Sequence, residues 1–193
     1  MWQQMFRGFK MMLVLTVLTG LAYPLVVTGL CQVFFRDRAN GSLVSANGRI
    51  AGSSLIGQNF TRPEYFQPRP SAAGNNGYDP MASGPANLGP TNQKLADRVK
   101  DSVAAFQKAN PDYTGPIPAD LLTTSASGLD PDISPASADA QAARVAKARG
   151  IAVERVRSLI ASSTQGRDLG FLGEPRVNVL AINLALDSSV PNK

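Results

Sequence analysis

Two carboxylates two residues apart, Asp130 and Asp132 in SASGLDPDISP, come nearest to catalytic chemistry in this sequence. Paired carboxylates can hold a hard cation or divide acid and base roles between them. Asp beside Pro131 also favours a plain turn. Glu174-Pro175-Arg176 reads as a second turn. The usual chemical partners are missing. There is no histidine, which removes the commonest general base and metal ligand. The one cysteine, Cys31, lies inside an apolar run, so neither an intramolecular disulfide nor a thiolate metal site can form. No Walker-type phosphate loop, GxSxG or HExxH occurs. The expectation is a chain with no catalytic residues and no metal site of its own.

The elements around these residues are partly legible. Thr91 to Asn110 reads as a helix, capped by Thr91 or Asn92 and stopped by Pro111, with Leu95, Val99, Val103 and Phe106 on one face. Ser134 followed by Pro135 is a cap and first turn, and the Ala-rich helix that follows stops at Gly150. Ala152 to Ala161 makes another helix, with Val156, Leu159 and Ile160 inward. The short joint between the two predicts a packed helical hairpin rather than a DNA-reading pair. Val177 to Leu186 is predicted as a strand, because Leu180, Ile182, Leu184 and Leu186 alternate. Asn47-Gly48, flanked by Leu43-Val44 and Arg49-Ile50, predicts a short hairpin. Pro68 to Pro90 is long, irregular and rich in Gly, Pro, Asn and Ser. It reads either as a functional loop or as a linker, and Tyr78, Met81 and Leu88 give it apolar handles. Helices and strands do not alternate regularly, so the fold class expected for residues 36–193 is one mixed α+β soluble domain.

Ahead of that domain lie a short tail, residues 1–10, and a run without charge from Met11 to Phe35. As a helix the run is about 37 Å long at about 1.5 Å per residue, enough to cross a hydrocarbon core of about 30 Å with some tilt. It exceeds the apolar stretch of a signal peptide, and no small-x-small cleavage site follows it, so a retained transmembrane anchor is expected. Arg7 and Lys10 flank one end and Arg36 and Arg38 the other, so charge does not orient it. Thr16 and Gly20 share a face, and Pro24 and Gly29 add small or helix-disturbing positions. Such residues let a partner helix approach closely, and they are also simply common in membrane spans.

The chain of 193 residues carries 19 basic and 14 acidic side chains, a net charge of +5. The excess is spread out, with no basic run or stripe, which argues against nucleic-acid binding.

Six ordered stretches carry a resemblance: GSSLIGQNF (Gly52–Phe60), YFQPRPSA (Tyr65–Ala72), NLGPTNQKL (Asn87–Leu95), TSASGLDPDISP (Thr124–Pro135), QAARVAKARG (Gln141–Gly150) and LGEPRVNVLAINLALD (Leu172–Asp187). With the single N-terminal span, the chain resembles the KdpC family, the C subunits of Kdp potassium-transporting P-type ATPases. Asp132 stands where that family usually has histidine, in GLDPHISP, which weakens any role needing an imidazole there.

The resemblance implies an accessory, non-catalytic subunit of an ATP-driven potassium-uptake pump. Its partners would be a channel-like A subunit, a phosphorylated catalytic B subunit and a very small F subunit, within the lipid of a bacterial inner membrane. The N-terminus would be cytoplasmic and the soluble domain periplasmic. The family role is to stabilise the assembled complex and raise the ATP affinity of the B subunit. Carried over to this sequence, nucleotide contact would fall on Ser125, Ser127, Gly128, Asp130 and Gln141, with ATP bound only together with the B subunit. Cytoplasmic ATP sits badly with a periplasmic domain, and the topology is the stronger implication. Thr16, Gly20 and Pro24 are the expected helix-packing residues, and Tyr78, Met81 and Leu88 the expected docking residues. The other functional class consistent with the sequence is a membrane-tethered scaffold for a different polytopic partner.

Overall fold

The computed structural model describes residues 1–46 and 48–189. It divides into two compact units, Met1–Leu43 and the chain from Val44 onward.

In the first unit Trp2–Phe34 is one helix, long and apolar enough to cross a membrane and unburied within the chain. It starts nine residues ahead of the uncharged run, so residues 2–10 are helical as well. It consists of α1 (Trp2–Val17), a π-helical turn at Leu18–Ala22 and α2 (Tyr23–Phe34). Pro24 accounts for the irregular turn. It has no N–H for the carbonyl of Gly20, and its ring crowds that carbonyl, so the turn before it widens. The Thr19 hydroxyl donates to the Leu15 carbonyl at 2.7 Å, which satisfies a polar group inside an apolar helix. A one-turn helix, α3 (Arg36–Ala39), follows.

The second unit is mixed α+β. Strands β1 (Leu43–Ala46) and β2 (Arg49–Ser53) form a two-stranded sheet. They flank the expected turn, whose Asn47 lies outside the described residues. Helix α4 (Gln93–Ala109) starts where Asn92 accepts from the Lys94 N–H at 2.9 Å, as the capping signal predicts. Strand β3 (Asp132–Ile133) leads into α5 (Pro135–Arg149). At the head of α5 the Ser134 hydroxyl accepts from the Ser137 N–H, and Asp120 accepts from both Ser134 and Ser137. Its tail ends at Gly150, whose φ of +65° suits a residue without a side chain. The α5 to α6 (Val153–Ser163) pair is the expected helical hairpin, with Val156 and Ile160 buried.

Strands β4 (Thr164–Gln165) and β5 (Arg176–Asn178) complete an antiparallel sheet of order β3-β5-β4. Val177 lies opposite both Ile133 and Thr164.

The strand expected over Val177 to Leu186 is mostly a helix. Only Arg176–Asn178 is extended, and α7 (Val179–Ser189) follows at once. VLAINLAL is apolar at nearly every position, so alternation is present but uninformative. The residues actually buried, Val179, Leu180, Ile182, Asn183 and Leu186, recur at spacings of three and four, as on one side of a helix. Asn178 starts the helix, its Oδ1 accepting from the Ala181 N–H at 3.0 Å. The core lies between the α5–α6 hairpin, β5 and α7, with Phe66, Ile133, Val145, Val156, Val177 and Ile182 as its main apolar residues.

Candidate functional site

Phe66 belongs to no regular element, yet it is wholly buried. Burying such a side chain contributes about 1.5–3 kcal/mol, but it drags along backbone that no strand or helix pairs. Side chains do that work instead. Arg144 donates to the carbonyls of Pro63 and Tyr65 at 2.5 and 3.0 Å, and Arg149 donates to the carbonyl of Glu64 at 2.8 Å. Asn183 brackets Phe66, and Gln141 brackets Gln67. Gln141 Oε1 accepts from the Gln67 N–H at 2.8 Å, and Nε2 donates to the Gln67 carbonyl at 3.1 Å. The strap 63–67 is thereby laid across α5 and α7, and it delivers Pro68 and the irregular segment beyond to one face.

That segment is built, although it has little regular structure; its one element is a single 3-10 turn, Pro80–Ala82. The Ser71 hydroxyl donates to the Gly128 carbonyl at 2.6 Å and accepts from the Tyr78 and Ala73 N–H groups. Arg69 pairs with Asp130 at 2.7 Å. The Ser127 carbonyl accepts from the Gly84 N–H and the Ser83 hydroxyl. A side chain at Gly128 would come within 2.9 Å of Ala73, and its φ of +68° already favours glycine. The Ser125–Asp130 turn and the Pro68–Pro90 segment, two separate signals in the sequence, are one stapled surface in the fold.

On it, Tyr78 is held inward. Its hydroxyl donates to the Arg69 carbonyl at 2.6 Å. Burial first, and then the charge of Asp130, push its ionisation well above the usual phenol range, against a smaller opposing pull from Arg69. Met81 is 93 % exposed, and Leu88 is half-buried. Ser125 is buried. The Ser127 hydroxyl accepts from the Leu129 N–H, and Asp130 is shared between Arg69 and the Asp132 N–H. A cleft of about 680 Å³ opens between this segment, Asn59–Thr61 and the Ser102 and Phe106 side of α4, with Gln141 in its wall.

Gln141 brings little free hydrogen-bonding capacity to that wall. Besides Gln67 it accepts from Arg144 at 2.7 Å and donates to the Ser137 carbonyl at 3.2 Å. Two acceptor and two donor sites are the whole capacity of an amide. Arg144 meets no carboxylate in this network. It faces the Asn110 side chain, Gln141 and two carbonyls, and burial alone holds its guanidinium down to about 10.

The paired carboxylates do not converge on a metal: no group of three or more metal-ligating side chains occurs among the described residues. Asp130 is committed to Arg69 and its own turn. Asp132 accepts from Asn178 at 3.0 Å and lies 3.4 Å from Arg176. Burial raises its pKa, Asn178 lowers it, Asp130 raises it and Arg176 lowers it, for a net upward shift. In the span, a side chain at Gly20 would meet only the Thr16 methyl, at 3.9 Å, so the two residues are neighbours on an open face.

Sequence reasoning missed Arg144, Ser71 and Arg69, and it names no partner for Asn183. The available signal was polarity out of place. An Asn inside VLAINLAL, or an Arg inside an Ala-rich helix, needs buried partners.

The comparisons agree over almost the whole length. A family profile described as "KdpC: K+-transporting ATPase, c chain" matches residues 5–188. A protein of Koribacter versatilis (strain Ellin345), named as a potassium-transporting ATPase KdpC subunit, is 58% identical over 192 residues, covering 99% of this chain and 97% of the relative. Proteins of the same name from Rhodospirillum rubrum (59% over 177 residues, 92% of this chain and 91% of the relative) and Myxococcus xanthus (55% over 188 residues, 97% and 89%) are similarly close. With a helix able to cross a bilayer followed by a stapled α+β domain, the chain belongs to the KdpC family and is a single-pass membrane subunit of a K+-transporting ATPase.

Proposed function

We propose that the chain is a non-catalytic accessory subunit that acts by docking. It stabilises the assembled potassium pump, and it raises the ATP affinity of the catalytic B subunit through that assembly rather than by holding nucleotide itself. Its partners are the channel-like A subunit, the B subunit and the small F subunit. Its N-terminus is cytoplasmic and its soluble domain periplasmic. The docking face is the Pro68–Pro90 segment with its Ser125–Asp130 support.

The observation that carries this reading is the stapling of an irregular segment to the Ser125–Asp130 turn through Arg69, Ser71 and Ser83, with Met81 left 93 % exposed at its surface. Ordering backbone costs roughly 1–2 kcal/mol per residue. A loop merely linking two elements has no need of that order, whereas a preorganised contact surface gains affinity from it. The saturated amide of Gln141 supports assembly over direct nucleotide contact.

The test uses the whole pump in intact cells. In a Cys31→Ala background, Met81→Cys should react with a membrane-impermeant maleimide in a strain lacking the other subunits, and should be protected when they are present. Labelling only after lysis would sink the topology. Equal labelling with and without the other subunits would sink the docking face.

A further inference from the structure

Exposed large apolar side chains in the unit from Val44 include Ile50, the neighbours Leu55 and Ile56, and Met81, but three fall within four residues at the β4–β5 connection. Leu169 is 83 % exposed, Phe171 69 % and Leu172 49 %. The connection is ordered by its own backbone. Asp168 and Leu172 exchange both N–H to carbonyl hydrogen bonds at 2.9 Å, and Gly170 donates to Arg167 at 3.1 Å. Leu169 sits at φ +53°, a left-handed conformation disfavoured for a residue with a side chain. A solvent-facing turn would ordinarily place Gly or Asn there. Here a leucine is held in that conformation and points its side chain away from the domain.

The charges around the tip decide what could cover it. Arg167 pairs with Glu174 at 2.8 Å, and Arg176 lies 3.8 Å from Asp168 and 3.4 Å from Asp132. Every charged residue of the loop is thus matched beside its base, and the apolar tip is electrically neutral. A tip built for a lipid surface would offer unmatched Lys or Arg to anionic headgroups. Three side chains also fall well short of the roughly 800 Å² per partner of a stand-alone interface, so pairing with a second copy through this tip alone would be too weak. An aromatic side chain such as Phe171, flanked by Leu169 and Leu172 on a charge-neutral support, suits the central anchor of a protein interface, which fills an apolar pocket on its partner.

We infer that the Leu169–Leu172 tip is a second contact point, an apolar anchor that enters an uncharged hydrophobic pocket on another protein subunit of the ATPase complex. The inference rests on the chain's place in that complex and is independent of the Pro68–Pro90 face.

The test places a benzophenone amino acid at Phe171 of the full chain, expressed with the rest of the pump, and in parallel at Met81. Irradiation should yield from Phe171 an adduct with a different pump subunit. Phe171→Asp and Leu169→Asp should each lower the yield of co-purified complex at least fivefold, while Phe171→Leu keeps it. Adducts from Phe171 with lipid only, with a second copy only, or none while Met81 gives one, would each overturn the anchor and leave the docking reading standing. No adduct from either position would overturn both. Unchanged complex yield for both aspartate variants would also overturn the anchor.

Discussion

Asn183 holds Phe66 by both ends of its peptide unit: Oδ1 accepts from the Phe66 N–H at 2.8 Å, and Nδ2 donates to the Phe66 carbonyl at 3.0 Å. Asn183 is 1 % exposed and Phe66 fully buried, so no water can take over if the amide is lost. Asn183→Leu keeps the volume and removes both bonds. At about 1–3 kcal/mol for each buried group left unpaired, it should cost on the order of 2–4 kcal/mol. For a domain of this size that lowers Tm by roughly 5–15 °C. A thermal melt of the purified chain followed by circular dichroism checks it. A drop under about 2 °C would mean that the strap finds other partners.

Gln141→Leu should behave in the same way, because Gln67 and Arg144 lose their partner together. A loss of about 2–4 kcal/mol is expected. Titration of the wild-type chain alone with ATP should give no binding in the low micromolar range. Tight binding that Gln141→Leu abolishes while Tm stays unchanged would show the amide to be a ligand contact rather than a clamp.

Asp132 gives a pH dependence with a definite sign. Its folded pKa is raised, chiefly by burial and then by Asp130, against Asn178 and Arg176. The folded domain therefore holds this proton more tightly than the unfolded chain does. Stability is highest below the ordinary carboxylate pKa and falls as pH rises from there through the raised value. Asp132→Asn removes that loss and still accepts from Asn178. The part-exposed Arg176 pair it gives up is worth little. The variant should match or exceed wild-type Tm at pH 7, and its advantage should shrink on acidification. An advantage that grows as pH falls would contradict this.

Gly20 faces open space beside Thr16. Gly20→Leu adds bulk without crowding its own helix, so the melt of the soluble domain should stay within about 1 °C of wild type, as for a surface change. Co-purification with the other subunits should fall several-fold if a partner helix packs there. Undiminished yield would mean that the face meets only lipid.

The membrane helix, α4, the α5–α6 hairpin and the β1–β2 strands were legible in the sequence. Each rests on a local cause: an uncharged run, the caps Asn92 and Ser134, Gly150 as a stop, and the flanks of Asn47-Gly48. Helix α7 was not legible as a helix. In an almost uniformly apolar run both periods fit, and only the burial of Asn183 against Phe66 selects the helical one. The stapled face was invisible for a different reason. Gln141 lies 74 residues from Gln67, Asn183 lies 117 from Phe66, and Arg69 lies 61 from Asp130. Residue types announced buried polar groups in need of partners. Which partners they meet depends on how α5 and α7 pack around the strap, a long-range outcome that no local preference encodes. The sequence by itself determined the single apolar span and, through its ordered motifs, the family. Tertiary packing alone decided that the Ser125–Asp130 turn and the Pro68–Pro90 segment form one surface, that Gln141 clamps the 63–67 strap leading into it, and that Leu169, Phe171 and Leu172 are left facing outward.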